Sequence, residues 1–209
     1  MPLQLYDKEG ILDACLSVFA RHGYDNASTA MLAQEAGVSK ALLFHHFNSK
    51  KELYLTVIDY CFQQGRATLA ASDVVQDMVR NDDFFRTREQ FSVEKFRFMQ
   101  ENPLVYQVLV AAFLETPDAV RAEIEERYGA LMAEEERLWR RLFQSVPLRE
   151  GVDRDEAFEL IMLTLDYFDE KYLSHFLNAE RLEDADLQRF LAERNRFMEM
   201  IRYGIEKYR

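Results

Sequence analysis

Residues 28–50 read STAMLAQEAGVSKALLFHHFNSK, and the rest of the chain is interpreted from this stretch. It parses as two short helices joined by a tight turn. Ser28 suits the N-cap of the first, because its hydroxyl accepts from a free backbone N–H two or three residues on. Leu32, Ala33 and Ala36 fall on one face at helical spacing. Gly37 ends that helix, since glycine enters the left-handed conformation of a helix C-terminus without steric cost. Val38 fills the corner and Ser39 caps a second helix, Lys40 to Phe47. Leu43 and Phe47 stand four apart and point inward. The opposite arc carries Ala41, Phe44 and His45, flanked by Lys40, Leu42 and His46. Small, cationic and imidazole side chains on a face with no packing task suit a helix laid in a major groove. The pattern is a helix-turn-helix.

The flanks agree with this reading. Asp7 to His22 is amphipathic, with Ile11, Cys15, Val18 and Phe19 as its apolar stripe, and Gly23 stops it. Ser49 and Glu52 have the spacing of a capping box, in which each side chain satisfies the other's backbone N–H. The helix they open runs through Leu53, Val57, Ile58 and Phe62 toward residue 70, with Lys50 and Lys51 at its start within reach of phosphates.

Three pieces, ILDACLSVFARHGY (11–24), STAMLAQEAGVSKALLFHHF (28–47) and NSKKELY (48–54), match in order and spacing the DNA-binding domain of the TetR family of bacterial transcriptional regulators. The chain resembles that family over about its first quarter. The resemblance implies an all-α protein with an N-terminal three-helix DNA-binding domain and a C-terminal helical domain for ligand binding and dimerisation. It places Ser39, Lys40, Ala41, Leu42, Phe44, His45 and His46 toward the groove, and Ser28, Thr29 and Lys50 toward phosphates. The family often has tyrosine where Phe44 stands, and phenylalanine has no hydroxyl to offer a phosphate. A thymine methyl or a sugar is its alternative contact.

With 209 residues, 48% of them hydrophobic, and only 7 Gly and 4 Pro, the chain has material for sizeable helical cores. The expected division is 1–48 for the DNA-binding domain, 49–72 for a connecting helix and 73–209 for the effector and dimerisation domain. Apolar runs fall short of the ~18 residues a membrane span needs. MPLQLYDKEG has no apolar export core, and Cys15 and Cys61 stand alone, so a cytoplasmic protein with buried thiols is expected. The net charge of −11 runs against a DNA binder, but it is unevenly spread. Residues 1–60 carry five Lys/Arg against seven Asp/Glu, and the remainder 21 against 30. The reading head is therefore close to neutral and is expected to bind random DNA weakly.

Further along, Phe84 to Gln100, Pro103 to Glu115, a segment from Thr116-Pro117-Asp118 to Ser145, and two long final helices read as helical. A turn is expected near Asn81–Asp83 and a loop at Pro147–Val152. Asp153 and Glu156 form a capping pair. The helix that follows is apolar on two sides: Phe158, Ile161, Leu165, Phe168 and Tyr172 on one, with Leu160, Leu163 and Leu177 elsewhere. One face for the core and one for a second copy is the expected use. Leu163, Leu177, Leu191, Met198, Ile201 and Ile205 are the candidate dimer residues, in a four-helix arrangement about a two-fold axis.

Phe96, Tyr106, Phe113, Trp139, Phe143, Phe168 and Tyr172 are candidates for a largely apolar effector pocket, although core packing is the favoured reading of any one of them. Glu115, Asp166 and Asp169 leave open a cationic effector group. No nucleotide loop, nucleophile elbow or catalytic triad spacing appears, so no catalytic residue and no cofactor is expected. His45 and His46 point about 100° apart on a helix without a further ligand at helical spacing, so no metal is expected either. The expected function is a ligand-responsive repressor that binds palindromic operator DNA as a homodimer. A helical protein–protein adaptor with an inert reading head is the alternative.

Overall fold

The apolar periodicities produce nine helices among the residues described by the computed structural model, which are 8–71, 83–178 and 182–205, with the side chains of 69–71, 173–178 and 205 excepted. They are α1 (Lys8–Asn26), α2 (Thr29–Glu35), α3 (Lys40–Phe47), α4 (Lys50–Ala71), α5 (Phe84–Glu101), α6 (Pro103–Phe113), α7 (Arg121–Phe143), α8 (Arg154–Asn178) and α9 (Asp184–Ile205). The turn expected near Asn81 and the side chains of Leu177, Ile205 and Tyr208 lie outside the described residues. None of the described helices is long and apolar enough to cross a membrane.

The chain divides into two compact units that do not follow chain order. The first comprises Met1–Thr68 and Asn102–Ala130, the second Leu69–Glu101 and Leu131–Arg209. Helix α6 belongs to the first unit because its apolar surface packs along α1, with Val105, Val108 and Ala112 buried. The long helix α7 begins in the first unit and ends in the second.

In the first unit, Ile11, Leu12, Cys15, Val18 and Phe19 of α1 are buried together with Leu32, Leu43, Phe47, Leu53, Val57 and Ile58. Gly23, at φ 69°, breaks α1 where the sequence stops it. The α2–α3 corner is a Schellman motif: Val38 N–H donates to the Ala33 carbonyl (3.0 Å) and Gly37 N–H to that of Gln34 (3.1 Å), with Gly37 at φ 64°. The cap hydroxyls of Ser28 and Ser39 accept from the N–H groups of Met31 (3.2 Å) and Leu42 (3.1 Å).

Two start signals behave differently from expectation. Ser49 Oγ accepts from Glu52 N–H at 3.1 Å, but Glu52 does not reach back. Ser49 N–H donates to the Phe47 carbonyl instead, and the Glu52 carboxylate pairs with Arg127 at 3.2 Å. Half of the capping box forms. Thr116-Pro117-Asp118 does not open α7, which starts three residues later at Arg121. Thr116 Oγ1 donates backward to the Ala112 carbonyl (2.6 Å), and Val120 N–H donates to the Pro117 carbonyl (3.0 Å), so a turn intervenes.

Lys50 ties the start of α4 to the end of α1. Its ammonium donates to the carbonyls of Tyr24 (2.8 Å), Ala27 (3.1 Å) and Asp25 (3.4 Å), and lies 4.4 Å from the Tyr24 ring centroid. Further along α4, Asp59 accepts from Tyr128 OH and pairs with Arg127 at 3.2 Å, while Lys51 pairs with Glu123. The Lys51 ammonium holds the Glu123 carboxyl below its usual range. Burial pushes the thiols of Cys15 and Cys61 up to about 12, so both stay protonated and inert.

The second unit has two apolar clusters. One gathers Phe84, Trp139, Phe143, Val146, Phe158, Ile161, Leu165 and Met198, and the other Phe96, Phe168, Tyr172, Leu187, Phe190 and Leu191. Asp153 Oδ1 caps α8, accepting from the N–H groups of Asp155 and Glu156 at 3.0 Å each.

A Cβ at residue 37 would touch nothing within 4 Å, so Gly37→Ala suffers strain and no clash. The left-handed conformation should cost about 1–2 kcal/mol, read as a lower urea midpoint at unchanged slope. Lys50→Met leaves three carbonyls without their cation, and a loss of about 1.5–3 kcal/mol is expected in the same measurement.

Candidate nucleic-acid interface

Helix α3 is held from behind by Leu43 (0% exposed) and Phe47 (5%), which fixes the direction of its other side. Lys40, Ala41, His45 and His46 are exposed, and Leu42 and Phe44 are half-buried. Lys40 makes no hydrogen bond or ion pair, so its charge is available. Phe44 is partly committed to the core, which suits a contact through its ring edge better than insertion into a groove. Ser28 and Ser39 are exposed and Thr29 half-buried. A serine hydroxyl that accepts at a cap keeps its own O–H, so both caps can still donate to a phosphate.

Lys50 is the exception among the groove and phosphate candidates. Its donors are occupied by main-chain carbonyls, and its role in this structure is to fix the head. Lys51 is likewise paired with Glu123, and Arg21 with Glu35 at 2.6 Å. The His45 and His46 rings lie edge to face, 5.5 Å apart. Among the described residues no three His, Cys, Asp or Glu side chains are grouped so as to hold a metal ion.

The aromatic effector candidates are not gathered into one place. Tyr106 and Phe113 lie in the first unit, where Phe113 meets Tyr128 (5.2 Å) and Phe62 (6.1 Å). In the second unit, Trp139 and Phe143 belong to one apolar cluster and Phe96, Phe168 and Tyr172 to the other. The acids offer little to a cationic group. Asp169 accepts from Lys95 at 2.8 Å, Glu115 is exposed, and partial desolvation with the neighbouring Asp169 raises the Asp166 carboxyl.

The sequence reading passed over two cations of the second unit, the half-buried Arg88 and the buried Arg194. Arg194 is 2% exposed. Its Nη1 donates to Ser92 Oγ, its Nε and Nη2 to Asn195 Oδ1 (3.3 and 3.1 Å), and no carboxylate pairs with it. Burial lowers it to about 10. Arg88 lies flat on Trp139, 4.3 Å from its ring centroid, and its Nε is enclosed without an acceptor. The available signal was a cation standing in an apolar stripe: Arg194 continues Leu187, Leu191 and Met198 at steps of three and four, and Arg88 follows Phe84 by four.

Of the dimer candidates, Leu191 and Met198 are buried within their own unit (8% each) and Ile201 packs against the same cluster as Met198. Leu163 is 68% exposed. Leu160 and Tyr167, on the same face of α8 by spacing, are also exposed, as are Phe197, Met200 and Tyr203 of α9. The second apolar face of α8 therefore exists, and its partners on α9 lie beside the stripe read from the sequence rather than on it.

With this geometry in place, comparison with known proteins is informative. Residues 11–57 match the family described as bacterial regulatory proteins, tetR family. The chain is 23% identical over 172 residues to the biofilm operon icaADBC HTH-type negative transcriptional regulator IcaR of Staphylococcus epidermidis, covering 81% of this chain and 86% of that protein. Among solved structures, a TetR-like transcriptional regulator from Rhodococcus sp. RHA1 superposes with a TM-score of 0.62 at 19% identity, over 95% of this chain and 98% of that one. The transcriptional regulator FadR from Bacillus subtilis, solved in complex with stearoyl-CoA, gives 0.60 at 15% identity, over 92% and 96%. These likenesses extend the fold over nearly the whole chain, and the match at residues 11–57 covers the helix-turn-helix built above. Residues 11–57 thus match the DNA-binding domain of the tetR family of bacterial regulatory proteins, and the chain shares its fold with TetR-like transcriptional regulators.

Proposed function

We propose that the protein is a repressor that binds a palindromic operator as a homodimer and leaves it when a small molecule enters the second unit. The observation that carries this reading is the outward arc of α3, where Lys40, Ala41, His45 and His46 are exposed and uncommitted while Leu43 and Phe47 anchor the helix. The name of the staphylococcal relative, a negative regulator, supports the sign of regulation. Two such helices, presented by a two-fold dimer, would enter successive major grooves about 34–36 Å apart.

The apolar face of Leu160, Leu163, Tyr167, Phe197, Met200 and Tyr203 supports dimerisation. Single exposed apolar residues are ordinary, but several aligned on two adjoining helices mark an interaction surface. The capture of stearoyl-CoA by a protein of the same fold supports a small-molecule effector as a class, without naming this one's. For release to follow, the effector must bind one of two states better than the other. Helix α7 is the natural carrier of that difference: Glu123, Arg127 and Tyr128 hold α4 at one end and Trp139 sits in the second unit's core at the other.

Binding of the purified protein to its own upstream DNA, against scrambled duplex and across a salt series, tests the reading. Selective binding that weakens with salt is expected, and no preference at low salt would favour the adaptor instead. Lys40→Ala should weaken the operator complex by about 1–3 kcal/mol while sparing scrambled DNA, as removal of a base contact does. Leu163→Glu places a charge on the exposed apolar face. It should yield a monomer in analytical ultracentrifugation, with unchanged helical content by circular dichroism.

A further inference from the structure

We propose that the effector is an amphiphile with an anionic head, a carboxylate or a phosphate, and that Arg88 and Arg194 on the interior of the second unit receive that head. This deepens the effector-release reading above and rests on it. Arg88 and Ser92 stand four apart on α5 and share its inward face. Ser92 Oγ donates to the Arg88 carbonyl (3.0 Å) and accepts from Arg194 Nη1, which brings the α9 guanidinium to the same turn of α5. The two cations also link the two apolar clusters. Arg88 stacks on Trp139 of one, and Arg194 lies 5.2 Å from the ring of Phe190 in the other.

Charge and hydrogen bonding are satisfied to different degrees at this point. Asp169, Glu135 and Asp166 are near enough to attract Arg88, but none forms an ion pair or hydrogen bond with it. Asp169 is engaged by Lys95 (2.8 Å), and Glu135 accepts from Trp139 Nε1 (3.4 Å). Arg88 therefore keeps Nε without an acceptor and closed off from solvent. Burial opposes the charged form of both arginines, yet a guanidinium does not surrender its proton in water. An acceptor brought by a ligand would satisfy the enclosed Nε of Arg88. The planar fork of arginine matches the paired oxygens of a carboxylate or a phosphate, and the apolar side chains of both clusters adjoin the two cations, so a tail would enter by displacing part of that packing.

Trp139 is the one tryptophan of the chain and is stacked on Arg88, so its fluorescence reports directly on the site. The full-length protein would be titrated with dodecanoate, dodecyl phosphate, dodecanol and dodecyltrimethylammonium, each below its micelle concentration. A saturable change of Trp139 emission is expected with one or both anions, at least tenfold tighter than with the alcohol or the cation, and the tighter anion identifies the head. Arg88→Gln should abolish that preference while circular dichroism stays unchanged. Equal affinity for dodecanol and the two anions, or no emission change with any probe, would overturn the proposal, and the wild-type comparison decides this even if Arg88→Gln does not fold. Displacement of operator DNA is read in parallel. Anion binding without release would leave the site standing and remove the inducer reading, whereas release by dodecanol alone would keep that reading and remove the anionic site.

Discussion

The ammonium of Lys50 is the constraint on which the reading head depends. Helix α1 ends in carbonyls that its own backbone cannot satisfy, and the chain must turn there before α2 begins. One cation at the start of α4 collects three of those carbonyls and rests on the Tyr24 ring, which in turn packs against Tyr54 and Phe19. The orientation of α1 relative to α4 follows, and with it the cleft into which Leu32, Leu43 and Phe47 fit. Helix α3 is then presented by a rigid base. A charge that a nucleic-acid reading would place at the surface is engaged inside the head, while Lys40, His45 and His46 remain exposed on α3.

The head was legible in the sequence because its signals are local. Caps at Ser28 and Ser39, a glycine at 37 and apolar steps of three and four each act within a few residues, and all of them agree with the structure. Where a signal needed a distant partner it was misread. Glu52 looked like half of a capping box and found Arg127 instead, and Thr116 turned back to Ala112. Lys50 fits a phosphate contact by position, and only the fold brings the carbonyls of residues 24–27 to it.

The second unit was harder to read for the same reason. An aromatic residue in a helix stripe has the same pattern whether it packs or lines a site, so Tyr106 and Phe113 could not be separated from Trp139 and Phe168 until their units were known. The exposed apolar residues of α8 and α9 show the same limit: the buried stripe of Leu187, Leu191 and Met198 is stronger in sequence than Phe197, Met200 and Tyr203. Arg88 and Arg194 escaped notice because charged residues are expected outside, and their position in the stripe looked like an interruption.

The interleaving of the two units bears on how the protein comes to be made. The first unit needs α6 and the start of α7, so the N-terminal helices must wait for residues near 130 before their core is complete. The second needs α8 and α9, which are synthesised much later, to cover apolar α5 residues. Neither unit can therefore finish in the simple N-terminal-first order by which domains fold during synthesis at about 5–20 residues per second. At that rate the emerging chain carries Phe84 and Phe96 without their partners on α8 and α9 for several seconds, an interval in which apolar surface is open to other contacts.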